Sequence, residues 1–157
     1  IAVMLGRAEV LSISSAQIEK LNIALLQSGL ELMDDKKSIL IEKIKNVIIE
    51  MVHYTDDPLK INFSDFLSVK LNLDYTYLAN IFSEVVGVTI EHFIILHKIE
   101  RVKELMGHNE LNLTEISWKL HYSSVAHLST QFKKITGVTP SYFKNLNQQS
   151  QLGLENV

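Results

Sequence analysis

The 157-residue chain contains no cysteine, which excludes disulfides, thiolate zinc sites and a cysteine nucleophile. It has no apolar run near the roughly 18 residues that a membrane span requires, and no secretory leader is legible at its start. Catalytic motifs are missing too. There is no glycine-rich phosphate loop, no nucleophile elbow and no paired-carboxylate cleft, so the expected catalytic residues are none. An excess of positive charge is also absent, the formal net charge being −3. That total is awkward for a nucleic-acid binder, because affinity for a duplex comes largely from Lys and Arg neutralising phosphates. What is present is 46% hydrophobic and 21% charged residues, the balance of a soluble globular protein. The length suffices for one good core, or for a domain of about 100 residues with a smaller partner. Because the chain opens on Ile1 rather than Met, we expect a fragment, or a chain that has lost its N-terminus.

The most informative stretch runs from Asn112 to Asn147. Leu113, Ile116 and Leu120 recur at helical spacing, and the helix they predict opens around Thr114 and stops at His121. Ser123 or Ser124 then suits the N-cap of a second helix, whose apolar stripe is Val125, Leu128, Phe132 and Ile135. Gly137 ends that helix. Thr139 before Pro140 caps a third, for which Tyr142 and Phe143 are the expected inward residues. Two short helices joined this abruptly form a helix-turn-helix.

The same grammar occurs earlier. Asn62 or Ser64 caps a helix with Phe63, Phe66, Leu67 and Leu71; Asn72 sits at a turn; Asp74 caps a helix with Leu78, Ile81, Phe82 and Val85, ended by Gly87. Leu67, Leu71, Leu78, Phe82, Gly87 and Thr89 repeat as Ile116, Leu120, Leu128, Phe132, Gly137 and Thr139, at offsets of 49 or 50 residues. The charges of the two units differ: residues 112–147 carry Lys119, Lys133, Lys134 and Lys144 against Glu115, while residues 61–88 carry Lys70 against Asp65, Asp74 and Glu84. If DNA is the partner, the second unit is expected to hold it more tightly.

Ile116, Leu120, Tyr122, Leu128, Phe132, Lys133, Lys134, Gly137, Thr139, Pro140, Phe143 and Lys144 together resemble the C-terminal signature of the AraC/XylS family of bacterial transcription regulators. The connecting segment KIERVKELM, with Arg101 between Lys98 and Lys103, is similar to the linker of that family, which implies a helix from about Ile90 to Met106 joining the two units. The resemblance covers about Ser38 to Leu146. It implies a cytoplasmic regulator that binds double-stranded DNA, with two recognition helices in successive major-groove segments about 34 Å apart. It further implies base-facing positions at Thr76, Ala79 and Asn80 in the first unit, and at Val125, Ala126, Ser129 and Thr130 in the second. Phosphates would be met by Lys133, Lys134 and Lys144 and by the backbone near Ser123 and Ser124. The chain departs from the family pattern where His121 replaces a turn glycine. It departs again where Asn80 and Thr130 replace arginines, and where Ser83 and Glu84 replace basic residues. Losing two arginine–guanine pairs, each supplying about 1–3 kcal/mol of discrimination, implies weaker selectivity and a site leaning to A/T.

The expected fold is therefore mainly α, a duplicated helix-turn-helix over residues 36–147, with a small, truncated α+β piece over residues 1–35 and a flexible tail over residues 148–157. In the first of these, AVML and RAEVL read as two strands around Gly6. A helix follows from Ala16 to Gln27, capped by Ser14 or Ser15, and then a strand from Leu30 to Met33. That order resembles the back part of a ferredoxin-like domain. Residues 36–54 read as one long amphipathic helix ended by Thr55 to Pro58. RNA polymerase or a self-partner through the N-terminal piece is a further expectation; a membrane is not. No cofactor and no metal is implied, since His92 and His97 lie five apart with no acidic residue to complete a trio. Trp118 is expected to pack against its helix neighbours. His127 lies close to the recognition face, where DNA contact is one reading and a surface histidine without a role is the expected one. Two alternatives stand beside this reading. One is a protein-interaction module with weak DNA affinity; the other is a metal-responsive protein using ligands upstream of Ile1.

Overall fold

The computed structural model describes residues 2–4, 7–9, 14–27, 35–55 and 62–155. Its contacts divide the chain into Ile1–Ile39 and Leu40–Val157. In the first unit β1 (Ala2–Met4) pairs antiparallel with β2 (Arg7–Glu9), with Val3 opposite Ala8. Helix α1 (Ser15–Gln27) follows, and Ser14 opens it by a reciprocal pair with Gln17: each side chain accepts the other's backbone N–H. The expected strand at Leu30 to Met33 lies outside the described residues. A ferredoxin-like domain is not supported. Such a domain needs a sheet on which the helix buries one face, whereas among the described residues the two three-residue strands pair only with each other and α1 has no buried residue. Ile18, Ile23 and Leu26 of α1 are 40%, 53% and 55% exposed.

The second unit is helical throughout its described residues. Helix α2 (Asp35–Ile49) buries Ile41, Ile44, Val47 and Ile48, a stripe at intervals of three and four. Its expected continuation instead widens into a π-helical segment, Glu50–Tyr54, which buries Val52 and ends at extended Thr55. Then come α3 (Phe63–Leu71), α4 (Tyr75–Val86), the linking helix α5 (Ile90–His108), α6 (Leu113–Lys119), α7 (Val125–Thr136) and α8 (Pro140–Glu155). The last of these continues through the stretch expected to be a tail. After Pro140 at its first position nothing as far as Glu155 forbids a helix, Gly153 included.

Two apolar clusters stabilise this unit, and α5 enters both. The first joins Ile41, Ile44 and Ile48 of α2 to Leu67, Leu78, Phe82 and Ile90, with Phe93 and Ile94 against it. The second joins Ile99, Val102, Leu105 and Met106 to Ile116, Leu120, Tyr122, Leu128 and Phe132, with Ile95 and Phe143 against it. Change of cluster falls between Ile94 and Ile95, so one stiff helix carries two cores end to end. The clusters are near copies: Phe82 meets Phe93 edge to face at 5.4 Å and 69°, and Phe132 meets Phe143 at 5.5 Å and 69°. Duplication legible in the sequence is thus repeated in the packing.

Candidate nucleic-acid interface

Each unit places one helix by the same local chemistry. In the first, Asn72 takes a left-handed conformation at φ 54°, and the Leu73 N–H reaches back to the Ser68 carbonyl at 3.2 Å. This is the hydrogen bond that closes a helix C-terminus around a left-handed residue. Asp74 then caps α4 by accepting the Tyr77 N–H at 3.2 Å. In the second, His121 is the left-handed residue at φ 58°, and the Tyr122 N–H reaches the Ser117 carbonyl at 2.9 Å. Ser124 caps α7 through the His127 N–H at 3.0 Å. The pairs Asn72 with His121 and Leu73 with Tyr122 lie 49 residues apart, whereas Asp74 and Ser124 lie 50 apart. Ser123 is therefore the one inserted residue. His121 thus takes the same left-handed conformation as Asn72, a region that Asn, Asp and His tolerate better than β-branched residues do. Helix α6 opens one residue before its expected start, on a capping box in which Asn112 and Glu115 each accept the other's backbone N–H, at 2.9 and 2.8 Å.

The helices that follow the turns each keep one face outward. On α4, Thr76 and Asn80 are exposed, while Ala79 is half-buried against the first core. On α7, Ala126 and Thr130 are exposed, and Val125 and Ser129 are half-buried. Leu128 and Phe132 anchor the opposite side of α7 at 0% exposure. Lys133 and Lys134 continue the exposed side, Lys144 is half-buried on α8, and Ser123 and Ser124 are exposed at the turn. Two sequence expectations fail. Trp118 is 69% exposed and does not pack, because the core side of α6 is already filled by Ile116 and Ser117. Tyr142 is 54% exposed, leaving Phe143 alone as the inward ring of α8.

The electrostatics of the units differ beyond formal charge. Tyr75, the first residue of α4, donates its hydroxyl hydrogen bond to the Glu91 carboxylate in the first turn of α5. Burial and that bond push the Tyr75 pKa up, and the same bond holds Glu91 below the usual carboxylate range. An ionised carboxylate thus sits beside the opening turn of α4, where a helix N-terminus would otherwise attract phosphate. The corresponding residue of the second unit is Ser141. Lys98 of α5 is not available to solvent in the same way as Lys133. Burial lowers its pKa, and its Nζ lies 5.0 Å from the centroid of the Tyr122 ring. Tyr122, pushed up to about 12 by burial, donates its hydroxyl to Gln131 Oε1 at 2.7 Å. The linking helix is tied in this way, through Tyr122, to the middle of α7.

Of the exposed side chains on these faces, Tyr77 escaped the sequence reading, whereas His127 is at the surface as expected. Tyr77 is 52% exposed on α4, and His127 is exposed at the same place on α7, 50 residues later. The repeat itself was the available signal, since it aligns the two positions one turn before Asn80 and Thr130. Of the histidines suspected as metal ligands, His97 faces not His92 but His53 of the π-helical segment, Nδ1 to Nε2 at 3.3 Å. No group of three metal-ligating side chains occurs among the described residues. No single helix among them is long and apolar enough to cross a membrane.

A helix-turn-helix domain model matches residues 67–145, half of the chain. The chain is 31% identical over 106 residues to the F1 operon positive regulatory protein of Yersinia pestis, an alignment covering 66% of this chain and 35% of that one. It is similar to the C-terminal domain of the two-component response regulator yesN from Fusobacterium nucleatum, with TM-score 0.55, 31% identity, and 66% and 95% of the two chains covered. The DNA-binding domain of AdpA, solved in complex with a target DNA, has the same fold: TM-score 0.58 at 13% identity, covering 70% of this chain and 94% of that one. The duplicated turns, the paired cores bridged by α5 and these likenesses agree, and the chain belongs to the AraC/XylS family of helix-turn-helix proteins.

Proposed function

We propose that the chain is a sequence-specific, double-stranded-DNA-binding transcription regulator whose helices α4 and α7 enter adjacent major-groove segments. The observation that carries this reading is the outward face of α7. There Ala126 and Thr130 stand clear on a helix anchored by Leu128 and Phe132, and Lys133 and Lys134 follow on the exposed side. Small and methyl-bearing side chains at the front of such a helix suit thymine methyl groups, and Asn80 on α4 suits the N6 and N7 edge of adenine. Thr76, Ala79, Val125 and Ser129 complete the base-facing set. Lys133, Lys134, Lys144 and the turn at Ser123 and Ser124 set the register on phosphates. The two units act unequally, because Glu91 beside α4 disfavours phosphate while the lysines in the last turn of α7 attract it. RNA polymerase, or a second copy through residues 1–35, completes the set of partners. A regulator of this kind works in the bacterial cytoplasm and binds rather than catalyses.

The test is the salt dependence of binding to duplex DNA. Each phosphate neutralised contributes about −0.9 to the slope of log K against log salt. The double substitution Lys133→Ala with Lys134→Ala should make the slope about 1.8 units shallower if both lysines meet phosphates. Absence of any retention on duplexes at about 50 mM salt would overturn the proposal and leave a protein-interaction module as the reading.

A further inference from the structure

Ser123, the residue inserted in the second turn, faces the ring of a histidine on the exposed side of α7. Its Oγ lies 3.0 Å from His127 Nδ1. The backbone of His127 is held as well, its N–H donating to Ser124 Oγ at 3.0 Å. A second wall is the Tyr122 ring, which meets the imidazole edge to face at 5.4 Å and 84°. Tyr122 is itself fixed by Gln131 and by the ammonium of Lys98. A surface histidine without a role would not be expected to have both backbone and ring clamped. In the first unit the equivalent Tyr77 has its N–H capped by Asp74, but the shorter turn supplies no counterpart of Ser123.

We propose that His127, oriented by Ser123, is a specificity-determining residue of α7 that selects guanine at one position of the bound site. The inference rests on the DNA-binding reading above. With Nδ1 engaged by the serine hydroxyl, Nε2 is the ring nitrogen left to face outward. When the hydroxyl donates to Nδ1, Nε2 carries the proton, and in the imidazolium it carries one too. In those two states the outward group is a hydrogen-bond donor; if instead Nδ1–H donates to Ser123 Oγ, Nε2 is an acceptor for adenine N6 or cytosine N4, and a preference for either base at that position overturns the proposal. In the major groove, guanine offers two neighbouring acceptors, N7 and O6. To a single N–H adenine offers N7 alone, beside the N6 donor, and thymine O4 alone, beside its methyl group, so the paired acceptors of guanine are the best match. One guanine within a site otherwise leaning to A/T is the expected signature. Ser123 acts through His127 and is a positioning residue.

The 157-residue chain is first used to select bound duplexes from a random pool. Affinity is then measured on the selected site with all four base pairs tried at each position. His127→Ala should flatten the preference at one guanine position by about tenfold, the equivalent of one base-edge hydrogen bond, and leave the other positions and the salt slope unchanged. Ser123→Ala should weaken the same preference by a smaller factor, and Ser123→Thr, which keeps the hydroxyl, should restore it. Melting temperatures of all three variants close to the parent establish that the fold is intact. Uniform weakening on every sequence would mean that His127 meets phosphate, and an unchanged preference would mean that it meets nothing; either overturns the proposal. If the parent chain binds no duplex at all, the DNA-binding reading falls first and this inference with it, a result distinguishable from the other two.

Discussion

Phe132→Ala is the perturbation that most directly tests whether the molecule has two cores strung on one helix. Phe132 is 0% exposed and is one of only two buried residues that anchor α7, the other being Leu128. Truncating a buried phenylalanine costs about 3–5 kcal/mol through lost transfer energy and the cavity left behind. The edge-to-face pair with Phe143 at 5.5 Å argues for the upper half of that range, since such pairs add about 0.5–1.5 kcal/mol. Against a typical domain stability of about 5–15 kcal/mol, a loss near 4 kcal/mol is large. It should fall unevenly. The first cluster draws on α2, α3, α4 and the opening of α5, and it shares no buried residue with the second. Amide hydrogen exchange resolved by segment should show α6 and α7 losing protection by about a thousandfold, while α3 and α4 lose far less. Phe82→Ala should give the mirror image. Equal loss in both units from either substitution would refute the two-core account and make the unit a single cooperative block; a cost below about 1.5 kcal/mol would refute the packing argument for Phe132 itself.

Ser124→Ala removes the acceptor for the His127 N–H and should lower stability by about 1 kcal/mol, as should Asp74→Ala at the start of α4, both read by urea denaturation. Acid should destabilise the chain by a route that begins above the carboxylate range. His97 is held below the usual histidine pKa by burial and by the neighbouring His53, and His121 by burial and by the charge of Lys98. Because the unfolded chain then binds protons more readily than the folded one, their contribution is complete above the ordinary histidine value of about 6.5 and is lost as pH falls from there through the lowered folded values. Melting temperatures should drop between pH 8 and pH 5.5, and His97→Gln should blunt the drop; a rise on acidification would contradict the sign of this argument.

Much of the fold was legible because the decisive signals are local. Apolar positions three and four apart, the caps Asn62, Asp74 and Ser124, and the stops Gly87 and Gly137 at φ 83° are each written in a few adjacent residues, and they bound α3, α4 and α7 as expected. The misses have a common cause. Whether Trp118 and Tyr142 pack depends on what already fills the space beside them, and here Ile116 and Phe143 do. Likewise, a β-β-α order is not a domain unless the helix finds a sheet to cover, and α1 buries nothing. On the candidate interface, exposure of Thr76, Asn80, Ala126 and Thr130 followed from the register of their helices. The half-burial of Ala79 and Val125, and the clamp on His127, did not.

By itself the sequence determined that this protein is a repeat of two capped helix pairs joined by a helix, because helix register, capping and left-handed turns are governed by neighbours within about five residues along the chain. Tertiary structure alone decided where α5 passes from one core to the other, that His97 meets His53 across 44 residues, and that Lys98 is spent on Tyr122 rather than left on the surface. Such pairings depend on which faces come together once apolar stripes are buried. The chain carries the stripes, but their mutual orientation is settled only by packing volume and by the desolvation of the polar groups trapped between them.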